Sequence, residues 1–139
     1  MGKIELDNIN YEKEECPDTY PNSKLMNIMF SKEISARWQN IGVSSYSLHP
    51  GFVRTNIFND IPPVRKAIMI FGGLIFGKNN LQGAQTSLYL CCEPDIEHLS
   101  GEYFADCKLM SSWVNKQALD KEVCTGLWDR SEQLVKMKN

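Results

Sequence analysis

The sequence has no long hydrophobic run and no secretion signal. Its first ten residues, MGKIELDNIN, lack the apolar core of a signal peptide. The most apolar stretch, residues 67–77, has about half the length that a bilayer-spanning helix needs. The five cysteines include no Cys-x-x-Cys pair, a pattern typical of reduced intracellular thiols. We therefore expect an intracellular chain, cytoplasmic as written, that does not cross a membrane.

The net charge is small, and the sequence has only two histidines. The net charge of -2 provides no basic field, so no nucleic-acid partner is expected. His49 and His98 have no cysteine or carboxylate at the usual ligand spacing, so no metal site is expected and each should be an ordinary hydrogen-bonded residue. Cys91 and Cys92 end an apolar helical pattern and are expected to be buried thiols without a chemical role.

The spacing of apolar residues predicts three helices and two short strands. Helices that alternate with strands in this way form a β-α-β unit, so the predicted fold class is α/β. Two strands make a very small parallel sheet, which indicates one side of a larger doubly wound domain. We therefore expect residues 1–139 to be a single partial domain without a separate linker. The predicted helices are Tyr20 to about Gln39, Asn80 to Pro94 and Leu119 to Lys136, and the predicted strands lie within Val43 to Gly51 and Gly101 to Cys107.

Tyr20 and Lys24 open the first predicted helix, in the segment YPNSK. Residues four apart lie on one helical face, one turn from each other. An ammonium group beside a phenol favours the phenolate, so the pair could move a proton to or from an alcohol or carbonyl oxygen. The same spacing is common on solvated helix surfaces, where it has no catalytic meaning. Spacing alone leaves both interpretations open.

The context of this pair resembles the C-terminal half of the short-chain dehydrogenase/reductase family. Ser23 and Asn27 flank the lysine, the helix ends near Gly42, and the next strand runs into LHPGFVRT. Together with GAQTSLYL and LSGEYFADCK, these motifs look most like the retinol dehydrogenase-like branch, and the resemblance covers about Gly2 to Leu134. It implies a Rossmann-type sheet and an NAD(P)-dependent oxidoreductase for a lipid-derived alcohol or carbonyl, retinoids included.

The resemblance also implies roles for particular residues. Tyr20 matches the family's proton donor or acceptor, and Lys24 matches the lysine that favours the phenolate and holds the nicotinamide ribose hydroxyls. A second group of residues matches the turn after the sixth strand of the family's sheet. In the family, that turn contacts the nicotinamide end of NADP or NAD. Considered without the family, this group is a tight turn followed by a loop hydroxyl. Its members are Pro50, Gly51, Val53 and Thr55.

Several family motifs have no counterpart in these 139 residues. The sequence contains neither the glycine-rich turn that seats a pyrophosphate nor the Asn-Asn-Ala-Gly segment, and no residue matches the catalytic serine. We therefore expect a truncated or alternative product, or an incomplete gene model, that is inactive alone. Pro21 disfavours helical geometry at the preceding residue, which predicts that the helix begins at Tyr20.

Two other interpretations compete with catalysis. The first is a non-catalytic interaction module, because the family resemblance places the Tyr20 helix in a homodimer interface and missing strands would leave a sheet edge open. The second concerns residues 67–77, which would contact a membrane surface or line a channel for an apolar substrate, or would form a buried core helix instead. The resembling branch further implies association with the endoplasmic reticulum membrane for a full-length form.

Overall fold

The computed structural model describes residues 3–10, 12, 19–53 and 77–135. The predicted α/β class and all three predicted helices are confirmed. The described residues form two compact units, one within 1–47, 95–103 and 110–139 and the other within 48–94 and 104–109, and each is described by itself. In chain order the elements are α1 (Thr19–Trp38), β1 (Ser47–His49), α2 (Asn80–Cys92), β2 (Tyr103–Ala105), β3 (Lys108–Leu109) and α3 (Lys121–Val135), with short 3-10 turns between them.

The core of the first unit lies where α1 packs against α3. Leu25 and Met29, four residues apart on α1, are buried together with Leu127 of α3. Cys124 belongs to the same cluster, and burial raises the pKa of its thiol, as does the nearby Glu33 carboxylate. Cys124 therefore stays a neutral, packed thiol at physiological pH. Ile4, Val114 and Ala118 complete the buried cluster.

A polar seam joins the same two helices beside this core. Glu33 is only 7% exposed, and its carboxylate accepts hydrogen bonds from Arg37 Nε at 2.7 Å and from Thr125 Oγ1 at 3.3 Å. The Arg37 guanidinium also lies 4.9 Å from the Trp128 ring centroid, and the Trp128 and Trp38 rings meet edge to face at 5.4 Å. The buried charge is thus paired and hydrogen-bonded, as a carboxylate in an apolar setting must be.

The three strands form one sheet in the order β1-β2-β3. Near β1, Gly101 N donates to Ser45 O at 2.7 Å and Ser47 N donates to Glu102 O at 3.1 Å. These partners advance in the same direction along both segments, as in a parallel pair. β2 and β3 are antiparallel, so the sheet is mixed rather than wholly parallel. The antiparallel register pairs Phe104 with Leu109 and Ala105 with Lys108.

A two-residue hairpin turn separates β2 from β3. Asp106 and Cys107 both have left-handed backbones, with φ of 52° and 58°, as a type I′ turn requires. The strand predicted within Gly101 to Cys107 is present, but β2 covers only Tyr103–Ala105 and the chain reverses after it. Thr86 Oγ1 of α2 accepts a hydrogen bond from Cys107 N at 3.2 Å and supports the turn.

Cys107→Gly should stabilise the protein, because a side chain at φ 58° is strained and glycine is not. Relief of the left-handed strain, less the extra entropy of glycine in the unfolded chain, predicts a gain of about 0.5–1 kcal/mol in urea unfolding. Cys107→Ala is the control, since it removes the thiol but keeps the β-carbon. Equal stability of the glycine and alanine variants would show that the turn is not strained.

The predicted burial of Cys91 and Cys92 is wrong, because both thiols are exposed. The buried positions of α2 are Gly83 and Thr86, so the helix turns its small residues inward. Leu88 lies on the outward side with Cys91 and is half exposed. Apolar periodicity found the helix but could not show which side would be covered, because close packing at a glycine is favoured by small size rather than by hydrophobicity.

Candidate functional site

The structure brings Tyr20 and Lys24 together at the start of α1. Lys24 Nζ lies 5.2 Å from the centroid of the Tyr20 ring, which is the distance of a cation-π contact. Tyr20 is 70% exposed and the lysine is exposed as well, so both polar ends are accessible from solvent. An exposed phenol and ammonium one helical turn apart are two hydrogen-bond donors that a ligand with hydroxyl groups could contact.

Local sequence explains where this helix begins. α1 starts at Thr19, one residue before the predicted start at Tyr20. Pro21 is accommodated because it lies in the first turn, where its missing N–H has no intrahelical acceptor in any case. The Ser23 hydroxyl donates to the Tyr20 carbonyl at 2.8 Å and reinforces that turn. Leu25, directly after Lys24, is buried in the core and anchors the same turn from its inner side.

Pro50 and Gly51 lie in the second unit, directly before a bend at Phe52, where the sequence predicted a tight turn. Gly51 has φ +83°, a backbone conformation that glycine adopts without strain. The turn follows directly after β1, and His49 Nδ1 accepts a hydrogen bond from Gly51 N at 2.7 Å. His49 is therefore hydrogen-bonded to a residue of a candidate site.

The Lys78 side chain also stabilises this turn, through the carbonyl of Pro50. Its Nζ donates to the Pro50 carbonyl at 3.1 Å and forms an ion pair with Asp106. The hydrogen bond and the positive charge of Lys78 lower the pKa of the Asp106 carboxyl. Because a lowered pKa keeps the carboxylate ionised above it, the ion pair is lost only as the pH falls through that lowered value.

Val53 is held close to α2 and to Lys78. Val53 and Lys78 form a parallel β-bridge, in which Lys78 N donates to Phe52 O at 2.8 Å. A β-carbon at Gly83 would lie 2.6 Å from Val53 Cγ2, so only glycine lets the valine approach the helix this closely. The candidate turn is thus fixed by β1 before it and by Val53 after it.

Comparison with known proteins explains this combination of motifs. The chain is 40% identical to mouse retinol dehydrogenase 14 over 140 residues, which covers 96% of this chain and 40% of that protein. It is 38% identical to mouse retinol dehydrogenase 12 over 136 residues, or 97% of this chain and 42% of that protein. This chain is a homologue of the retinol dehydrogenases. No family model matches the sequence.

The chain is also similar to a plant short-chain dehydrogenase. The chain is 35% identical over 118 residues to the chloroplastic short-chain dehydrogenase TIC 32 A of Brassica napus, covering 84% of this chain and 36% of that protein. The chain therefore spans about two fifths of the length of the curated relatives that it matches. The predicted resemblance to the retinol dehydrogenase-like short-chain dehydrogenases is confirmed.

The predicted site residues of this retinol dehydrogenase homologue fall into two groups. Tyr20 and Lys24 lie in the first unit, and Pro50, Gly51 and Val53 lie in the second. Thr55 lies outside the described residues, as do residues 67–76 of the predicted membrane-contact segment. Their catalytic and cofactor-binding roles stay predictions.

Sequence reasoning missed the side chains that support the turn. Lys78 lies 28 residues from Pro50 and 28 from Asp106, and no local pattern links such distant positions. The one signal was indirect, since a lone lysine ends the apolar stretch just before the Asn79 helix cap. Over 3–10, 12, 19–53 and 77–135, no three metal-ligating side chains of the retinol dehydrogenase homologue come together, and no helix has the length and apolar character to cross a bilayer.

Proposed function

We propose that this chain supplies the tyrosine-lysine part of a short-chain dehydrogenase/reductase active site. The proposed reaction is the NAD(P)-dependent interconversion of an apolar alcohol and its carbonyl compound, with a retinoid as the favoured substrate. The observation that carries the proposal is the contact of Lys24 Nζ with the exposed Tyr20 ring at 5.2 Å. The homology to retinol dehydrogenases supports both the reaction class and the substrate class.

Tyr20 would move the proton of this reaction. In the oxidation direction its phenolate oxygen would take the hydroxyl proton of the alcohol, and in the reduction direction its phenol would return a proton to the carbonyl oxygen. A bound nicotinamide accepts or donates the hydride. The exposure of the phenol leaves its oxygen accessible to a substrate from solvent.

Lys24 would stabilise the charge that develops on the phenolate oxygen. Its ammonium is a point charge with three donors, so it can contact the ribose hydroxyls of the cofactor while it lies beside Tyr20. The exposed phenol and ammonium fit the nicotinamide riboside end of NADP or NAD, because ribose hydroxyls accept hydrogen bonds from both. Pro50, Gly51, Val53 and Thr55 would contact the nicotinamide itself.

We also propose that the 139-residue chain does not turn over by itself. The printed sequence has no glycine-rich turn to seat the pyrophosphate and no residue matched to the catalytic serine. Loss of a hydrogen-bond donor at the substrate oxygen reduces rates by about 10²–10³-fold, and loss of the pyrophosphate seat weakens cofactor binding, so this chain should show no measurable dehydrogenase activity. The fold would then be the C-terminal part of a Rossmann-type sheet, as a single partial domain.

A chimera tests the proposed roles directly. These 139 residues would replace the matched region of mouse retinol dehydrogenase 14, and retinol oxidation would be followed by the absorbance of NADPH. We expect the chimera to be active, and we expect Tyr20→Phe or Lys24→Met to lower kcat by about 10²-fold or more, because each change removes a group from the proton-transfer step.

Matched substitutions separate chemistry from folding. Tyr89→Phe removes a phenol hydroxyl from the second unit, and Lys116→Met removes an ammonium group from an exposed turn. Neither variant should change kcat. An active chimera in which Tyr20→Phe retains full kcat would refute the proposal.

Cofactor binding would distinguish the catalytic proposal from the interaction-module alternative. The alternative needs no affinity for NADPH, and it predicts a homodimer through the Tyr20 helix that sedimentation analysis would detect. NADPH binding lost on Lys24→Met favours the catalytic proposal, because the ammonium is the proposed ribose contact. Membrane-surface contact through residues 67–77 and the intracellular location stay predictions.

A further inference from the structure

One peptide group of the second unit is held by side chains on both of its polar ends. The N–H of the Pro50–Gly51 peptide donates to His49 Nδ1 at 2.7 Å, and the C=O of the same peptide accepts from Lys78 Nζ at 3.1 Å. Both partners are side-chain atoms. The direction of this peptide is thus determined by an imidazole and an ammonium.

The Lys78 side chain is itself fixed in place. Its backbone N–H donates to Phe52 O at 2.8 Å, in the bridge that pairs Lys78 with Val53. Its ammonium forms an ion pair with Asp106, whose carboxylate is displayed by the β2–β3 turn. The side chain is 26% exposed, so it retains only part of the freedom of a surface lysine. Lys78 therefore reaches the turn from a defined backbone position and in a defined direction.

Gly51 leaves room for the Lys78 side chain, and its flexible backbone needs side chains to fix the orientation of the peptide. A β-carbon at Gly51 would lie 2.9 Å from both Cε and Nζ of Lys78, so the lysine occupies the space that a side chain would take. Glycine also has the widest choice of backbone conformations, so the peptide before it can rotate unless side chains hold it. Such a rotation would exchange the directions of the C=O and the N–H and break both hydrogen bonds.

We propose that Lys78 is a positioning residue of the candidate site, which holds the Pro50–Gly51 peptide in the one orientation that presents this turn to the nicotinamide. The inference rests on the proposed function, because it assigns Lys78 a purpose at the turn proposed to contact the cofactor. Lys78 acts through the Pro50 carbonyl and touches no reacting atom. Asp106 directs the ammonium towards that carbonyl, and His49 holds the opposite end of the peptide.

Amide hydrogen exchange of the 139-residue chain tests the hold on the turn without any cofactor. Lys78→Met keeps the length and the backbone bridge but removes the charge and the donor. We expect the Gly51 amide to exchange about ten-fold faster, as the loss of one charge-assisted hydrogen bond predicts. Lys78→Arg should restore protection, because its guanidinium can donate to both oxygens. Asp106→Asn, which weakens only the orienting ion pair, should give a smaller change in the same direction.

The control residues lie on α2, in the same unit. Gly83 and Thr86 are buried there, so their amides report the stability of the helix, and their exchange should stay unchanged in all three variants. A uniform rise across α2 would indicate general destabilisation and would overturn a specific role for Lys78. Unchanged Gly51 exchange in Lys78→Met would overturn it as well.

Titration with NADPH, monitored through the Gly51 amide resonance in the NMR spectrum, tests whether Lys78 affects cofactor binding. We expect NADPH at millimolar concentration to shift this resonance in the wild-type chain, and we expect the apparent affinity to fall about ten-fold in Lys78→Met and to recover in Lys78→Arg. Faster exchange with unchanged affinity would overturn the positioning role. A wild-type chain whose Gly51 resonance ignores NADPH would refute the proposed cofactor contact, whereas the exchange comparison would still report whether Lys78 holds the turn. The two failures are therefore distinguishable.

Discussion

Phe104→Ala should reduce the free energy of unfolding by about 3–5 kcal/mol, the usual effect of deleting a buried aromatic ring. Phe104 is 1% exposed and is the largest fully buried side chain among the described residues. Its ring lies 6.3 Å from that of Tyr89 in a tilted arrangement, so alanine would lose an aromatic contact as well as buried area. Since small domains have a stability of only about 5–15 kcal/mol, the variant should be close to unfolding at room temperature.

Urea unfolding followed by circular dichroism measures this effect. Phe104→Leu is the matched control, because it keeps most of the volume and should lose about 1.5 kcal/mol or less. Leu109, the register partner of Phe104 across the hairpin, is exposed, so Leu109→Ala should have little effect. A loss below about 1 kcal/mol for Phe104→Ala would mean that the site collapses to fill the cavity and that Phe104 is not central to packing.

Gly101→Ala should have the second largest effect, because two separate penalties act at this position. Gly101 has φ +86°, where a β-carbon costs about 1–2 kcal/mol. That β-carbon would also lie 3.1 Å from Ser35 Cβ on α1, and overpacking of this kind costs about 1–3 kcal/mol. We expect a total loss of about 2–5 kcal/mol if both penalties apply in full.

Gly42 separates the two penalties. It has φ +87°, almost the same conformation, but a β-carbon there would meet no atom within 4 Å. Gly42→Ala should therefore lose only the conformational part, about 1–2 kcal/mol. The difference between the two variants in urea unfolding measures the steric part. Equal losses would show that α1 yields to the added methyl group and that Gly101 matters only for its backbone angle.

The helices could be predicted from the sequence because their signals are local. The spacing of Leu25 and Met29 placed α1 within one residue of its observed ends, and Pro94 correctly predicted the end of α2 to within two residues. Helical geometry also predicted that Lys24 would meet Tyr20, since residues four apart must lie one turn from each other. Family resemblance added the predicted catalytic role of the pair, which the spacing alone left open.

The parts that could not be predicted depend on distant residues or on unusual conformations. The β2–β3 turn uses Asp106 and Cys107 where an Asn-Gly or Asp-Gly sequence would have signalled a hairpin, so the segment resembled one continuous strand. The brace on Pro50 comes from Lys78, 28 residues away, and its counter-ion comes from a further 28 residues along the chain. The burial of Cys91 was predicted wrongly because the helix is covered on its small-residue side.

The edge-to-face contact of Trp38 and Trp128 has a practical consequence for spectroscopy. The third tryptophan, Trp113, lies in the same compact unit as these two, so every indole of the chain belongs to the first unit. Intrinsic tryptophan emission will therefore report the melting of the α1–α3 core, and the Tyr89 and Phe104 region will contribute almost nothing to that signal. Emission and far-ultraviolet dichroism recorded on one sample act as separate probes, and coincident transitions would demonstrate that the whole chain folds cooperatively.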